Sequence, residues 1–333
     1  MTVGRSGGHV AWGELLDDGR VGAPEALASV DELRRPSGDR ALAVRVAGGF
    51  DVDVLLDRGL DLGAAWWAGT PLAWRSPHPV DPGPGREWED RFLGGLLATC
   101  GPDNIGAPRD GHGQHGTHHL TPAHDVRWWR ERDGDALEVH VRGAVAHTTL
   151  YGPRVVVERE IVVATGRPQV EVRDVVRNHG DTAVHVPLLY HVNLGSPVLV
   201  PGTRVRADAD DPVPADPLPD GRDAVTFPAP APGLAYVVAE HPDVHGAGDG
   251  WARASVGPTG LGRDVVVEWR SDAMPRLFTW LWPAAGVWVL GVEPANAPLV
   301  GPERASAGAG APVLGPGESW ACGLRVRVDD DVR

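Results

Sequence analysis

The sequence contains no lysine, so the whole Lys+Arg total of 31 is arginine. That absence removes Schiff-base chemistry, pyridoxal phosphate enzymes and the lysine of a phosphate-binding loop. Cysteine is almost missing too: Cys100 and Cys322 make neither a disulfide framework nor a zinc ribbon. No apolar run reaches the length of a membrane span. The first residues are polar and glycine-rich, unlike a secretory h-region, so a cytoplasmic setting away from membranes is the expectation. A formal net charge of −14 argues against a polyanionic partner, which excludes nucleic acid. Nothing in the sequence sets the number of subunits.

Helical periodicity is nearly absent as well. Pro24 to Arg35 is the one stretch that predicts a short helix, ending before Pro36. No strand–helix alternation and no glycine fingerprint opening a helix is found, which disfavours a doubly wound nucleotide fold. Strand signals fill the space instead. Leu42 to Leu56 is rich in valine and broken by Gly48-Gly49, like a hairpin. Further runs follow at Leu137–Leu150, Arg154–Val163, Val170–Val176, Ala183–Tyr190, Leu234–Val238, Asp264–Trp269, Arg276–Trp282, Val287–Val292 and Cys322–Val328. In the last, Leu324, Val326 and Val328 alternate with Arg325 and Arg327. Asp208 to Pro232 reads as a long surface loop, because similar strands resume after it. Many short strands, with 44 glycines and 31 prolines at the turns, predict an all-β sandwich or barrel with few short helices. One domain over residues 1–333 is the expectation.

Three patches at the ends of apolar runs carry chemistry. In Tyr190-His191-Val192-Asn193 the strand period points His191 and Asn193 the same way, as a donor pair for a ring oxygen and an adjacent hydroxyl. In Gly291-Val292-Glu293-Pro294 a carboxylate ends an apolar strand; desolvation there raises its pKa and suits a general base. Between Gly94 and His124, Asn104 is placed to hydrogen-bond a hydroxyl. The same stretch holds five histidines within thirteen positions, which also invites a metal reading through His112, His115 and His119. No cysteine or glutamate accompanies them and no helix would fix their spacing, so a solvated loop is the simpler reading and no metal is assigned. Tryptophan is abundant, 13 against 3 Tyr and 4 Phe. Most serve the core; Trp280 and Trp282, on the run before that of Glu293, and Trp74 are the candidates from which one or two would form a platform under a sugar face, with Trp280 chosen.

Taken in order, these segments resemble the aldose 1-epimerase (galactose mutarotase-like) superfamily, most closely an uncharacterised branch of it. The resemblance spans nearly the whole chain. It runs from Asp57-Arg58-Gly59-Leu60-Asp61-Leu62-Gly63 through Trp74-Arg75-Ser76-Pro77, Gly94 to Asn104, His115-Gly116 and Tyr190-His191-Val192-Asn193 to Leu290-Gly291-Val292-Glu293-Pro294. It implies a large antiparallel β-sandwich with a sugar cleft on one face. It implies that His191 protonates the pyranose ring oxygen and Glu293 removes the proton from the anomeric hydroxyl. His115 would then hold a ring oxygen or hydroxyl. The pattern departs in two places: Ile105 follows Asn104 where mutarotases carry arginine, and Thr117 follows His115-Gly116 where the branch carries arginine. Arg58 and Arg109 are the candidate substitutes.

The expectation is therefore an aldose 1-epimerase-like enzyme acting on a small carbohydrate, with acid–base side chains and no cofactor. The alternative is a non-catalytic carbohydrate-binding or sensing protein on the same fold. A sugar hydrolase or lyase would need a second carboxylate about 5–10 Å from Glu293, for which Asp103, Asp61 and Glu89 are candidates. A metalloenzyme built on the histidine loop ranks last.

Overall fold

The structure, a computed structural model, describes residues 11–329. Two large antiparallel sheets dominate it. The larger has 11 strands. Edge to edge it runs Ala28–Arg34, Arg40–Val46, Phe50–Leu55, Asp61–Trp67, Leu97–Cys100, Leu189–Leu194, Val289–Ala295, Arg276–Trp282, Val237–His241 and Val213–Pro214, with Thr70–Pro71 paired to the side. The second has 8 strands: Arg204–Ala207, Trp251–Gly257, Val265–Arg270, Ser319–Val328, Gln169–Asn178, Arg154–Ala164, Ala136–Thr148 and His124–Asp133. Among the described residues the α-helices are Trp12–Asp17 and Trp88–Arg91. The antiparallel β-sandwich expected from the strand signals is what forms.

Period-2 patterning explains the layering. On Ser319–Val328 the buried residues Leu324, Val326 and Val328 alternate with partly exposed Arg325 and Arg327. On the outer side of the smaller sheet those arginines meet carboxylates on neighbouring strands, as in Arg327–Glu268 at 3.1 Å and Arg325–Glu171 at 3.2 Å. Each such partly exposed pair contributes about 0–1 kcal/mol, so they set register more than stability. The inner faces share one core, to which Val52, Leu62, Leu97 and Val192 come from the larger sheet and Val141, Val172, Val267 and Leu324 from the smaller. Each fully buried side chain of this size contributes about 1.5–3 kcal/mol.

One charged group crosses that core. Arg159, fully buried, donates to Asp174 of its own sheet at 2.6 Å and to Asp61 and Thr99 of the larger sheet at 2.5 and 2.9 Å. Tyr190 donates its hydroxyl to the same Asp174 at 2.8 Å. Burial pushes the Asp61 carboxyl up to about 6, against the pull of Arg159 and Thr99.

The structure corrects the expected helix at Pro24 to Arg35. Only Pro24–Ala26 turns, as a 3-10 helix, while Ala28–Arg34 is a strand. It pairs along its whole length with Arg40–Val46. A ready hairpin partner outweighs a modest local preference for helix. The run Ala183–Tyr190 is also divided: Val184–His185 pairs with Val313–Leu314, and a new strand begins at Leu189 after Pro187. Strands at Trp251–Gly257 and His124–Asp133 escaped the sequence reading.

Candidate functional site

The strand Leu189–Leu194 has two working faces. Tyr190 and Val192 point into the core, and His191 and Asn193 point to the outer face of the larger sheet, as their spacing requires. Its partner is Val289–Ala295, paired at Leu189↔Ala295 and Val192↔Val292. That register sets Glu293 directly across from His191. His191 Nε2 and Glu293 Oε1 lie 3.2 Å apart with both side chains 3% exposed, an ion-pair distance without hydrogen-bond alignment. The close approach depends on Gly291: a Cβ there would sit 2.3 Å from Glu293 Oε1 and 3.1 Å from His191 Cε1. Burial pushes the Glu293 carboxyl up to about 8 and the His191 imidazole down to about 4.

Aromatic rings surround the pair. The Phe92 and Trp280 centroids lie 5.2 and 5.5 Å from the His191 ring, and His115 lies 5.8 Å away. His115 takes a left-handed backbone (φ 58) that brings its ring inward. The Gly106 N–H donates to its Nδ1 at 3.3 Å. Burial, with smaller contributions from His191, His119 and Arg304, drives its pKa well below the usual imidazole range. Trp88 closes the top, 4.4 Å from Phe92, 4.7 Å from His115 and 6.4 Å from His191. Beneath this cover lie Trp88 Nε1, both nitrogens of His119, His191 Nδ1, Asn193 Oδ1 and Glu293 Oε1, all buried and without a hydrogen-bond partner. Buried polar atoms are almost always paired. A concentration of orphans at one place marks this as the candidate site.

His191, Glu293, His115 and Trp280 are thus brought together, but the other candidate side chains are committed elsewhere. Asn104 spends its amide N–H groups on the Ala107 and Gly113 carbonyls, at 3.0 and 2.8 Å, and its oxygen accepts from Arg304. Asn193 donates to the Gly95 and His191 carbonyls at 3.1 and 2.9 Å, so it braces the strand and offers a sugar only its oxygen. Arg58 pairs with Asp39 at 3.0 Å and Asp81 at 2.8 Å and is no free cation. Arg109 holds the Arg304 and Ser306 carbonyls. These engagements share one physical cause: a polar side chain held within the fold is claimed by the nearest backbone oxygen or carboxylate.

The histidine loop is also divided. His112 pairs with Asp103 at 3.3 Å on an outer groove of ≈ 660 Å³, while His115 and His119 are buried at the pair. Among the described residues no three His, Cys, Asp or Glu side chains are grouped to hold a metal. Of the carboxylates considered as partners for Glu293, Asp61 belongs to Arg159 and Thr99, and Asp103 to Thr117 and His112. Trp88 and Phe92 were missed in the sequence. They stand beside a proline- and glycine-rich stretch, residues 77–87, whose only visible signal is that of a loop.

Two antiparallel sheets over one core, with a buried imidazole–carboxyl pair under aromatic rings on the outer face of the larger sheet, form a galactose mutarotase-like fold, and solved structures match it. A Klebsiella pneumoniae protein provisionally named an aldose 1-epimerase superposes with TM-score 0.80 at 21% identity, covering 92% of this chain and 84% of its own. A galactose mutarotase-like protein from Clostridium acetobutylicum gives 0.60 at 16%, covering 91% and 99%. A Salmonella typhimurium protein provisionally named a mutarotase gives 0.60 at 13%, covering 90% and 93%. Residues 36–328 match the family model described as a domain of unknown function, DUF4432, and the chain belongs to that family. Among curated proteins no sequence matches it. No helix among the described residues is long and apolar enough to cross a membrane.

Proposed function

We propose that this protein is an aldose 1-epimerase-like enzyme that interconverts the anomers of a free sugar or sugar derivative, with residues 1–333 acting as one sandwich unit. The observation that carries the reading is the buried imidazole–carboxyl pair, His191 and Glu293, 3.2 Å apart beneath the rings of Phe92 and Trp88. Its opposed shifts, Glu293 to about 8 and His191 to about 4, leave the pair holding one proton at neutral pH. Those shifts rest the proton on Glu293, and for reaction it crosses the 3.2 Å to His191; the imidazolium then gives it to the ring oxygen while the Glu293 carboxylate takes the proton of the anomeric hydroxyl. The C1–O5 bond breaks, and the pair is left as neutral His191 and protonated Glu293. After rotation about C1–C2, Glu293 returns its proton to the aldehyde oxygen and His191 recovers its own from the O5 hydroxyl, so reclosure restores the starting state. Each positioned group contributes about 10²–10⁴-fold. His115 and the Asn193 oxygen supply contacts to hydroxyls, and the sugar takes the place of the Trp88 ring.

One-dimensional exchange NMR over a panel of aldoses and uronic acids tests this. At least one sugar should exchange anomers faster with protein than in buffer alone. Acceleration of none would overturn the reading. A second reading, a carbohydrate-binding protein without turnover, is favoured by the engagement of Asn104 and Arg58 within the protein. Saturable binding with no exchange would select it.

A further inference from the structure

The acid–base pair stands at one end of a line of rings that anomer exchange on a single sugar leaves unused. Trp280 and Trp282 lie two apart on Arg276–Trp282, across from Gly291 and Val289, and so on the same face as Glu293. Val237 and Val238 pair with Leu281 and Trp280, and continuing that register places Tyr236 beside Trp282. From His191 the centroids step 5.5 Å to Trp280, 5.8 Å to Trp282 and 6.0 Å to Tyr236. Exposure rises along the line: His191 is 2% exposed, both tryptophans are partly buried, and Tyr236 is 56% exposed.

The polar tips of these rings are free. Trp74 Nε1 is tied to the Val287 carbonyl at 2.6 Å and Trp88 Nε1 is buried. Among the described residues, no protein group hydrogen-bonds the indole N–H of Trp280 or Trp282, or the Tyr236 hydroxyl, and none of the three is a buried orphan. A single exposed aromatic needs no explanation. A graded series with free donors, fixed by sheet register and ending on a buried acid–base pair, is different. Ring faces suit the C–H faces of pyranoses and the free N–H and O–H groups suit their hydroxyls.

We propose that Trp282 and Tyr236 form a second sugar subsite, and that the ligand is a reducing disaccharide or longer saccharide. Its reducing ring occupies the His191–Glu293 pocket and its next ring lies over Trp282 and Tyr236. The placement of the reducing ring rests on the function proposed above.

Calorimetric titration with glucose and galactose, and with maltose, cellobiose and lactose, paired with anomer-exchange NMR on the same sugars, tests it. At least one disaccharide should bind about tenfold more tightly than glucose, the reducing-end sugar of all three, the scale of one added aromatic contact. That ratio should fall toward one in Trp282→Ala and Tyr236→Ala and be kept in part in Trp282→Phe, which retains a ring face but not the N–H. Monosaccharide exchange with no disaccharide advantage overturns the subsite and leaves the enzyme reading standing. A disaccharide advantage that collapses in the variants, without exchange of any sugar, keeps the subsite and overturns the enzyme reading. Binding of no sugar overturns both.

Discussion

At the scale of single residues, the account turns on where one proton sits. His191 gains a proton only below about pH 4, and Glu293 loses its proton only above about pH 8. Between those limits the pair carries one proton, the state that both gives and takes. The exchange rate plotted against pH should therefore show a plateau bounded near 4 and near 8, falling on the acid side as the pair fills and on the alkaline side as it empties. An alkaline limb near the ordinary carboxylate range would mean that Glu293 is hydrated and not desolvated as found here. Part of this was legible in the sequence. Strand periodicity alone put His191 and Asn193 on one face. That 191 and 293 meet at one site was legible only through the family resemblance; their direct cross-strand register was not, because register between strands a hundred residues apart is set by the whole sheet. Nor were the partners of Asn104 and Arg58, since a side chain's identity says what it can donate but not which neighbour takes it.

At the scale of elements, the short helix Trp88–Arg91 carries the ring that covers the pair, and the loop 77–87 leads into it. The loop has no strand or helix of its own. It is fastened through Asp81, which accepts from Arg91 at 2.9 Å and from Arg58 at 2.8 Å. Burial pushes the Asp81 carboxyl up, but hydrogen bonds from Arg91 and the Gly83 N–H, with the Arg58 charge, hold it at about 2. Trp88 must leave its place over His115 and His191 before a sugar can reach the pair, and uncovering a large side chain costs about 1.5–3 kcal/mol. Trp88→Ala should accordingly lower KM about tenfold and, by admitting water to Glu293, move the alkaline limb to lower pH. A raised KM would show Trp88 to be a contact for the sugar and not a cover. The helix expected over residues 24–35 failed for an element-scale reason: Arg40–Val46 offers that segment a complete set of strand hydrogen bonds.

At the scale of the whole molecule, the sandwich was the most legible feature, because alternation and turn residues repeat along most of the chain and agree with one another. The link between the sheets was not legible. Arg159, Asp61, Asp174, Thr99 and Tyr190 come from five separate strands, and only the assembled core joins them. Breaking a buried pair of this kind typically costs about 3–5 kcal/mol. The network places Tyr190 on the core side of the strand whose other side carries His191, so the scaffold and the candidate site share one backbone. The direct test of that arrangement is the anomer-exchange NMR rate of Glu293→Gln against the unaltered protein, on whichever sugar exchanges fastest, with circular dichroism to establish that both are folded. The rate should fall by about 10²-fold or more in a variant that keeps its fold. Exchange at the full rate in a folded Glu293→Gln protein would contradict the account.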